Sequence, residues 1–333
     1  MLGLQRKSLV YLTALVLAGS LALAYCWTYM PTVLGPAMWL PPSQLMDDSQ
    51  CRPRMPDGVY RTVEKACTGT IAFVTVATRK GYFDMAEELA ASISRHVCGG
   101  DASLVVLTDQ PVPASFANFS CSMVKETKYA VCGPHVLAPW KILDWPESTL
   151  QRFEALLSVW PDVLVHFDYV YWMDADQLVA SDFCDDIKGT RVGMGHMHFL
   201  RRDSWSPLDS NWRSTAYVPA DEKYLNPYYS AHLYGGLSSE MCQLVLDCKA
   251  GVDVDRANGV VARWHDESHL NRYLIAHPPT ITLGMSFTCF VEAALDQSVF
   301  AVGLDSRRMA RKASPCFIVA RLKDAKAMRR TED

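Results

Sequence analysis

The sequence predicts an α/β fold, with a Rossmann-like, mostly parallel central sheet flanked by helices. Two observations carry this expectation. Strand-like apolar runs alternate with helix-periodic segments along the body, and two of those runs stop abruptly on carboxylates. "TIAFVTVATRKGYFDMAEELAASISRHV" reads as a strand, a short loop and an amphipathic helix from about Phe83 to Val97. "SLVVLTDQP" is a second buried strand ending on Asp109 and Pro111, and "CSMVKET" is a candidate third. "WPESTLQRFEALLSVW" has apolar residues at helical spacing, with Pro146, Glu147 and Ser148 where a helix start favours them. "VHFDYVYWMDADQ" and "TRVGMGHMHF" supply two further strands. No internal repeat or low-complexity run interrupts the series, so one domain of catalytic size, residues 67–305, is expected. In such sheets ligands bind beyond the carboxyl ends of the strands.

Length and charge bound the rest. A chain of 333 residues, 50% apolar and 20% charged, can bury one large core or two modest ones. Its net charge of -4 gives no global attraction to nucleic acid, and none is expected as a partner. The C-terminal tail, 306–333, is locally basic: from Arg307 to Arg330, the residues Arg307, Arg308, Arg311, Lys312, Arg321, Lys323, Lys326, Arg329 and Arg330 face Asp324 alone. A solvated tail is the plain reading of that run, and a phosphate-facing flap is the functional one.

At the other end, Arg6 and Lys7 close a tail of residues 1–7 and precede "SLVYLTALVLAGSLALAYCW", an apolar stretch long enough to cross a bilayer. Basic residues before the span and none directly after it predict a single-pass type II anchor over 8–28, with the body lumenal. Ala22-Leu23-Ala24 also resembles a signal-peptide cleavage site, but the span is long for one, and Trp27 and Tyr29 suit a membrane interface. Residues 29–66, punctuated by Pro31, Pro36, Pro41 and Pro42, read as a stem. Either topology places the body in an oxidising compartment, where ten of the 11 cysteines are free to pair. Cys98 and Cys121, bracketing a strand-like segment, are the expected pair. Asn118-Phe119-Ser120 is a glycosylation sequon accessible on the lumenal side.

Two Asp-x-Asp pairs compete for chemistry. Asp174 and Asp176 leave the core at a strand end, where residues i and i+2 project to one side and suit a hard divalent cation bridging phosphates. Solvated acids in a turn are the plain alternative. Asp253 and Asp255 lie in the polar, glycine-flanked "KAGVDVDRANG", where turn or capping duty is expected. In "WHDESHLNRYL", His265 and His269 are spaced for one helix face, but Asp266 stands where a zinc protease needs Glu. Asp266 and Glu267 are expected at a helix N-terminus, where the dipole favours their charge and where a carboxylate can meet a cationic sugar. Simple capping with surface histidines is the plain reading.

"MDADQ", "YYSAHLYGG" and "ANGVVARWHDESHLNRYLIAHPPT", in this order and spacing, resemble the family 6 glycosyltransferases, relatives of the histo-blood-group A and B transferases and of α1,3-galactosyltransferase. The likeness covers roughly residues 70–283. It implies a GT-A fold, a Golgi membrane location, a UDP-sugar donor and Mn2+ as cofactor. It also implies retaining transfer of galactose or N-acetylgalactosamine, in an α1,3 linkage, to a β-galactoside-type glycan on lipid or protein. By the same resemblance Asp174 and Asp176 are metal and diphosphate ligands, and Ala77, Thr78 and Tyr82 surround the uracil. Arg152 and Asp266 hold the donor sugar, Glu267 is the candidate nucleophile, and His196, Trp264 and His265 shape the acceptor side.

The chain departs from the family in two places. Ser230, Ala231 and His232 occupy the stretch that selects the donor sugar, and His232 is larger than the small residue usual there. Beyond "HPPT", Cys289 and Phe290 stand where the family has an acceptor-defining Trp-Asp pair. A catalytically silent, sugar-binding relative is the alternative that this altered segment supports.

Overall fold

The computed structural model describes residues 48–52, 70–196, 207–223, 225–284, 287–290 and 318–320. The tail 1–7, the expected anchor 8–28, most of the stem 29–66 and most of the basic tail 306–333 lie outside those residues. Among the described residues no helix is long and apolar enough to cross a membrane.

The body is built on β1 (Ile71–Val76), whose β-branched and aromatic run is almost entirely buried. Such a run, apolar on both faces, belongs inside a parallel sheet rather than on a half-exposed edge. Accordingly β1 pairs in parallel with β2 (Ala102–Thr108) on one side and β7 (Tyr169–Met173) on the other. The connection between β1 and β2 is α1 (Lys80–His96), whose buried stripe of Phe83, Ala86, Leu89, Ala90 and Ile93 follows helical spacing. Burying side chains such as Ile71, Phe73, Leu104 and Leu107 fully contributes about 1.5–3 kcal/mol each.

The flanks change direction. On the β2 side, β6 (His135–Pro139) continues the parallel set, and β5 (Ala130–Cys132), β4 (Phe119–Met123) and β3 (Ser115–Phe116) follow as an antiparallel meander. On the β7 side, β10 (Tyr229–Leu237) runs antiparallel between β7 and β9 (Arg191–Gly195), with β11 (Ile281–Leu283) at the edge. The ten strands run in the order β11-β9-β10-β7-β1-β2-β6-β5-β4-β3. The sheet is therefore mixed, parallel around its centre and again where β11 meets β9 at one edge, which corrects the expectation of a mostly parallel one. Short, half-polar strands such as "FSCSM" return through tight turns, which antiparallel pairing permits and parallel pairing does not. At Gly235 on β10 a Cβ would stand 2.3 Å from Val170 O, so only glycine lets this strand lie against β7. A second, three-stranded sheet joins β8 (Gln177–Val179) to β12 (Thr288–Phe290) and β13 (Ile318–Ala320).

Helices α2 (Glu147–Leu150) and α3 (Arg152–Val159) precede β7, after a cis Trp145–Pro146 bond. Helix α4 (Ser238–Ala257) follows β10 and packs against α3 and against α5 (Asp266–Ala276). Asp253 and Asp255 thus lie inside α4, rather than in the turn or cap expected of them. Three disulfides join described residues: Cys51–Cys242, Cys98–Cys184 and Cys121–Cys132. The Cys98–Cys121 pairing is wrong. Cys98 meets Cys184 beside the bridge of Val97 to Phe183, and Cys121 lies opposite Cys132 in the β4–β5 register. Cys51, within the stretch read as stem, is bonded to α4.

Candidate active site

Strand β7 ends at Met173, and Asp174 turns the chain out of the core, with Gln177 N–H closing the turn on Asp174 O at 3.1 Å. The Asp174 N–H donates to His232 O at 3.1 Å, one step beyond the Leu233–Met173 pair, so β10 brings His232 alongside the strand end. Ala77 and Thr78 follow β1, whose carboxyl end lies beside that of β7, and Tyr82 opens α1 nearby in sequence. Ala77 and Thr78 thus follow a strand end at the same sheet rim as Asp174.

Arg152, the first residue of α3, organises a charged cluster. Its Nη1 donates to Ala231 O at 2.7 Å and lies 2.8 Å from Asp266 Oδ2, an ion pair without the alignment of a hydrogen bond. Its Nη2 lies 3.2 Å from Asp174 Oδ1, and the guanidinium stacks 4.4 Å above the Trp172 ring. Trp172 Nε1–H donates to the same Asp174 oxygen at 2.8 Å. Burial disfavours charge on Arg152, but Asp266, Asp174, Tyr234 and Glu267 outweigh it and hold the guanidinium protonated, above its ordinary range. Burial pushes Asp266 up to about 7; Arg152 opposes the shift, while Glu267 and Asp174 add to it.

Glu267, in the first turn of α5 as expected, is fixed from two sides. Tyr228 Oη donates to Oε1, and Ala231 N–H donates to Oε2 at 2.8 Å. Burial raises its carboxyl above the usual range, and these two hydrogen bonds, with Arg152, pull the other way. Asn271, one turn along α5, bonds both Tyr229 N–H and Tyr229 O at 2.7 Å, locking the helix to β10. His196 N–H donates to Tyr228 O at 3.0 Å and its ring meets the Tyr228 ring edge-on at 5.4 Å, placing His196 one residue from Glu267. Tyr228 was missed by the sequence reading, although it opens the "YYSAHLYGG" stretch and alternates with Ser230 and His232.

Ser230 Oγ and His232 Nδ1 share a hydrogen bond of 2.5 Å, and His232 Nε2 is buried without a partner. Burial lowers the His232 pKa, and Asp174 and Asp176 partly offset this. Trp264 N–H donates to Ser268 Oγ at 2.9 Å, and Trp264 Nε1–H donates to Pro207 O at 3.0 Å. His265 caps α5 with φ 51, a conformation costly for a side chain of this size, and its ring meets Trp145 at 4.8 Å.

His265 and His269 therefore do not share a helix face. His269 is also no surface residue: it is buried, 3.5 Å from Asp255 Oδ2, and burial holds its imidazole neutral. Among the described residues no group of three or more His, Cys, Asp and Glu is arranged to hold a metal. Asp174 and Asp176 remain a two-carboxylate donor set. Hard oxygen donors of that number fit Mn2+ or Mg2+ when substrate phosphates complete the shell. Asn118 lies at the opposite flank, on the β3–β4 turn.

Residues 136–299, which hold every element of this cluster, match the family model described as Glycosyltransferase family 6. Over that segment the chain is similar to glycosyltransferase family 6. Curated family 6 relatives include Histo-blood group ABO system transferase 1 of Rattus norvegicus, 32% identical over 146 residues, covering 43% of this chain and 41% of the relative. Globoside alpha-1,3-N-acetylgalactosaminyltransferase 1 of Gallus gallus is 29% identical over 149 residues, 44% of this chain and 43% of the relative. Alpha-1,3-galactosyltransferase 2 of Homo sapiens is 31% identical over 147 residues, 43% and 42% respectively. The match to family 6 relatives thus spans about two fifths of their length.

Proposed function

We propose that this chain is a retaining, GT-A-type hexosyltransferase. It moves galactose or N-acetylgalactosamine from a UDP-sugar to a β-galactoside-type glycan on lipid or protein, forming an α1,3 linkage. We further propose that it acts in the Golgi lumen from a type II anchor. One observation carries the reading: Arg152 bridges Asp174, on the strand end, to Asp266, on the start of α5, beside Glu267. A diphosphate-sugar held at Asp174 and Asp176 would present its sugar to that helix start.

Asp174 and Asp176 would hold a divalent cation, whose charge would neutralise the departing diphosphate. Arg152 and Asp266 orient the sugar hydroxyls from a buried, pre-paired position. Glu267, its two oxygens fixed by Tyr228 and Ala231, faces the anomeric carbon. It either attacks there, so that two inversions give retention, or stabilises the cationic sugar while the acceptor enters from the front. Trp264, His265 and His196 flank the acceptor. His232 narrows the donor pocket and favours UDP-galactose; equal or faster turnover of UDP-N-acetylgalactosamine overturns that preference.

The test incubates the full-length protein with each UDP-sugar and a panel of β-galactosides, with Mn2+ or with chelator. Metal-dependent UDP release with a glycan product is expected. Binding of the UDP-sugar with no turnover on any acceptor assigns the chain instead to the silent, sugar-binding class, and no binding at all removes both.

A further inference from the structure

We propose that Asn118 carries an N-linked oligosaccharide, and that this glycan covers the free edge of the ten-stranded sheet. Asn118-Phe119-Ser120 is the only Asn-x-Ser/Thr in the chain. It occupies the two-residue turn of the β3–β4 hairpin, where Ala117 and Asn118 have φ of 51 and 70. Positive φ at both central residues is the I′ turn, whose twist matches the flanking strands and whose second position accepts asparagine. Phe116 is buried on one side of the turn. On the other, the Phe119 ring fills the space where Gly133 lacks a Cβ and meets His135 edge-on at 5.6 Å. The two aromatic anchors leave Asn118 exposed at the tip, and neither its carboxamide nor the exposed Ser120 hydroxyl is bonded to a described residue.

The compartment fits. Three disulfides among the described residues belong to an oxidising lumen, where asparagine glycosylation also takes place. In that step Asn118 Nδ2 bonds to C1 of an oligosaccharide carried on a lipid pyrophosphate. The C1–O bond breaks, the lipid pyrophosphate leaves with the electron pair, and an amide proton passes to the transferring enzyme's base.

The place fits as well. Strand β3 has two residues and covers only Phe119 and Ser120 of β4. Further along β4, Cys121 N–H finds Ala114 O at 2.9 Å, but Ser122 is exposed and Met123 is 55% exposed. An open strand flank bearing an apolar side chain invites pairing with a second chain. The hairpin is also six strands from β7, about 29 Å at about 4.8 Å per strand, so a glycan there stays clear of the Asp174 rim.

The test produces the full-length protein in secretory eukaryotic cells, treats it with peptide-N-glycanase, and analyses the Asn118 peptide by mass spectrometry. Wild type should lose one glycan, and Asn118→Gln and Ser120→Ala should both run at the deglycosylated position. By sedimentation, both variants and the deglycosylated protein should self-associate about tenfold more tightly than wild type. Adding Ser122→Lys to either variant, which puts a charge on the edge, should reverse that. An unmodified Asn118 in wild type overturns the proposal. A glycan whose removal leaves self-association unchanged overturns the edge role.

Discussion

The two Asp-x-Asp pairs share a spacing and nothing else. Just past β7 the chain turns, with Gln177 N–H on Asp174 O, rather than running on extended as the sequence suggested; Asp174 joins Arg152 at the strand end and Asp176 stays buried beside it in the same turn. Inside α4 the same spacing turns about 200° around the axis, so the two side chains part. Asp253 points outward to Lys249 at 2.5 Å and Arg256 at 3.4 Å. Asp255 is buried, accepting from Ser214 Oγ at 2.5 Å and from Thr215 N–H at 2.7 Å. A pair of acids becomes a candidate ligand set, a surface ion pair or a loop anchor according to the element that carries it.

Substitution should separate these roles. Asp174→Asn and Asp176→Asn should each lower sugar transfer by about 10²–10³-fold and weaken Mn2+ binding measured by titration calorimetry, with little change in melting temperature. Retained transfer would take the strand-end pair out of the mechanism. Asp255→Ala should do the reverse. With Ser214 and Thr215 left unsatisfied, urea denaturation should show a loss of about 3 kcal/mol, while kcat holds.

Tyr228→Phe sharpens the contrast from the helix side. It removes one donor to Glu267 without opening a cavity, and kcat should fall about tenfold. That hydrogen bond holds the Glu267 carboxyl down against burial, so its pKa should rise in the variant. The acid limb of the pH–rate profile should then move to higher pH, with activity lost sooner as pH falls. An unmoved limb would mean that Glu267 does not act ionised. Asp253→Ala, at an exposed ion pair, should change stability by no more than about 0.5 kcal/mol.

Much of this was readable in the residues, for local reasons. Strands β1, β2 and β7 announce themselves as apolar runs, α1 by its stripe, and the start of α5 by paired acids. What escaped depends on distant partners. The segment "KAGVDVDRANG" looks like a turn because of Gly251, yet there a Cβ would lie 2.9 Å from His269 Nδ1, so the glycine serves packing inside a helix. The antiparallel flank escaped because strands of two to five residues with exposed serines carry almost no periodicity. The Arg152–Asp266 contact spans 114 positions that no pattern links. Conversely, the "MDADQ" and "WHDESHLNRYL" stretches stand out as candidates because each residue's neighbours in sequence are also its neighbours in space.

The disulfides described above are nested: Cys121–Cys132 closes within Cys98–Cys184, which closes within Cys51–Cys242. Synthesis therefore delivers the cysteines in an order that rewards patience. Cys51 and Cys98 emerge first but must stay reduced until their partners arrive, while the innermost pair is complete after 11 residues. Of these six cysteines, Cys51 and Cys98 form the shortcut that an emerging chain meets first, and thiol exchange would have to undo such a bond before the outer rings could close.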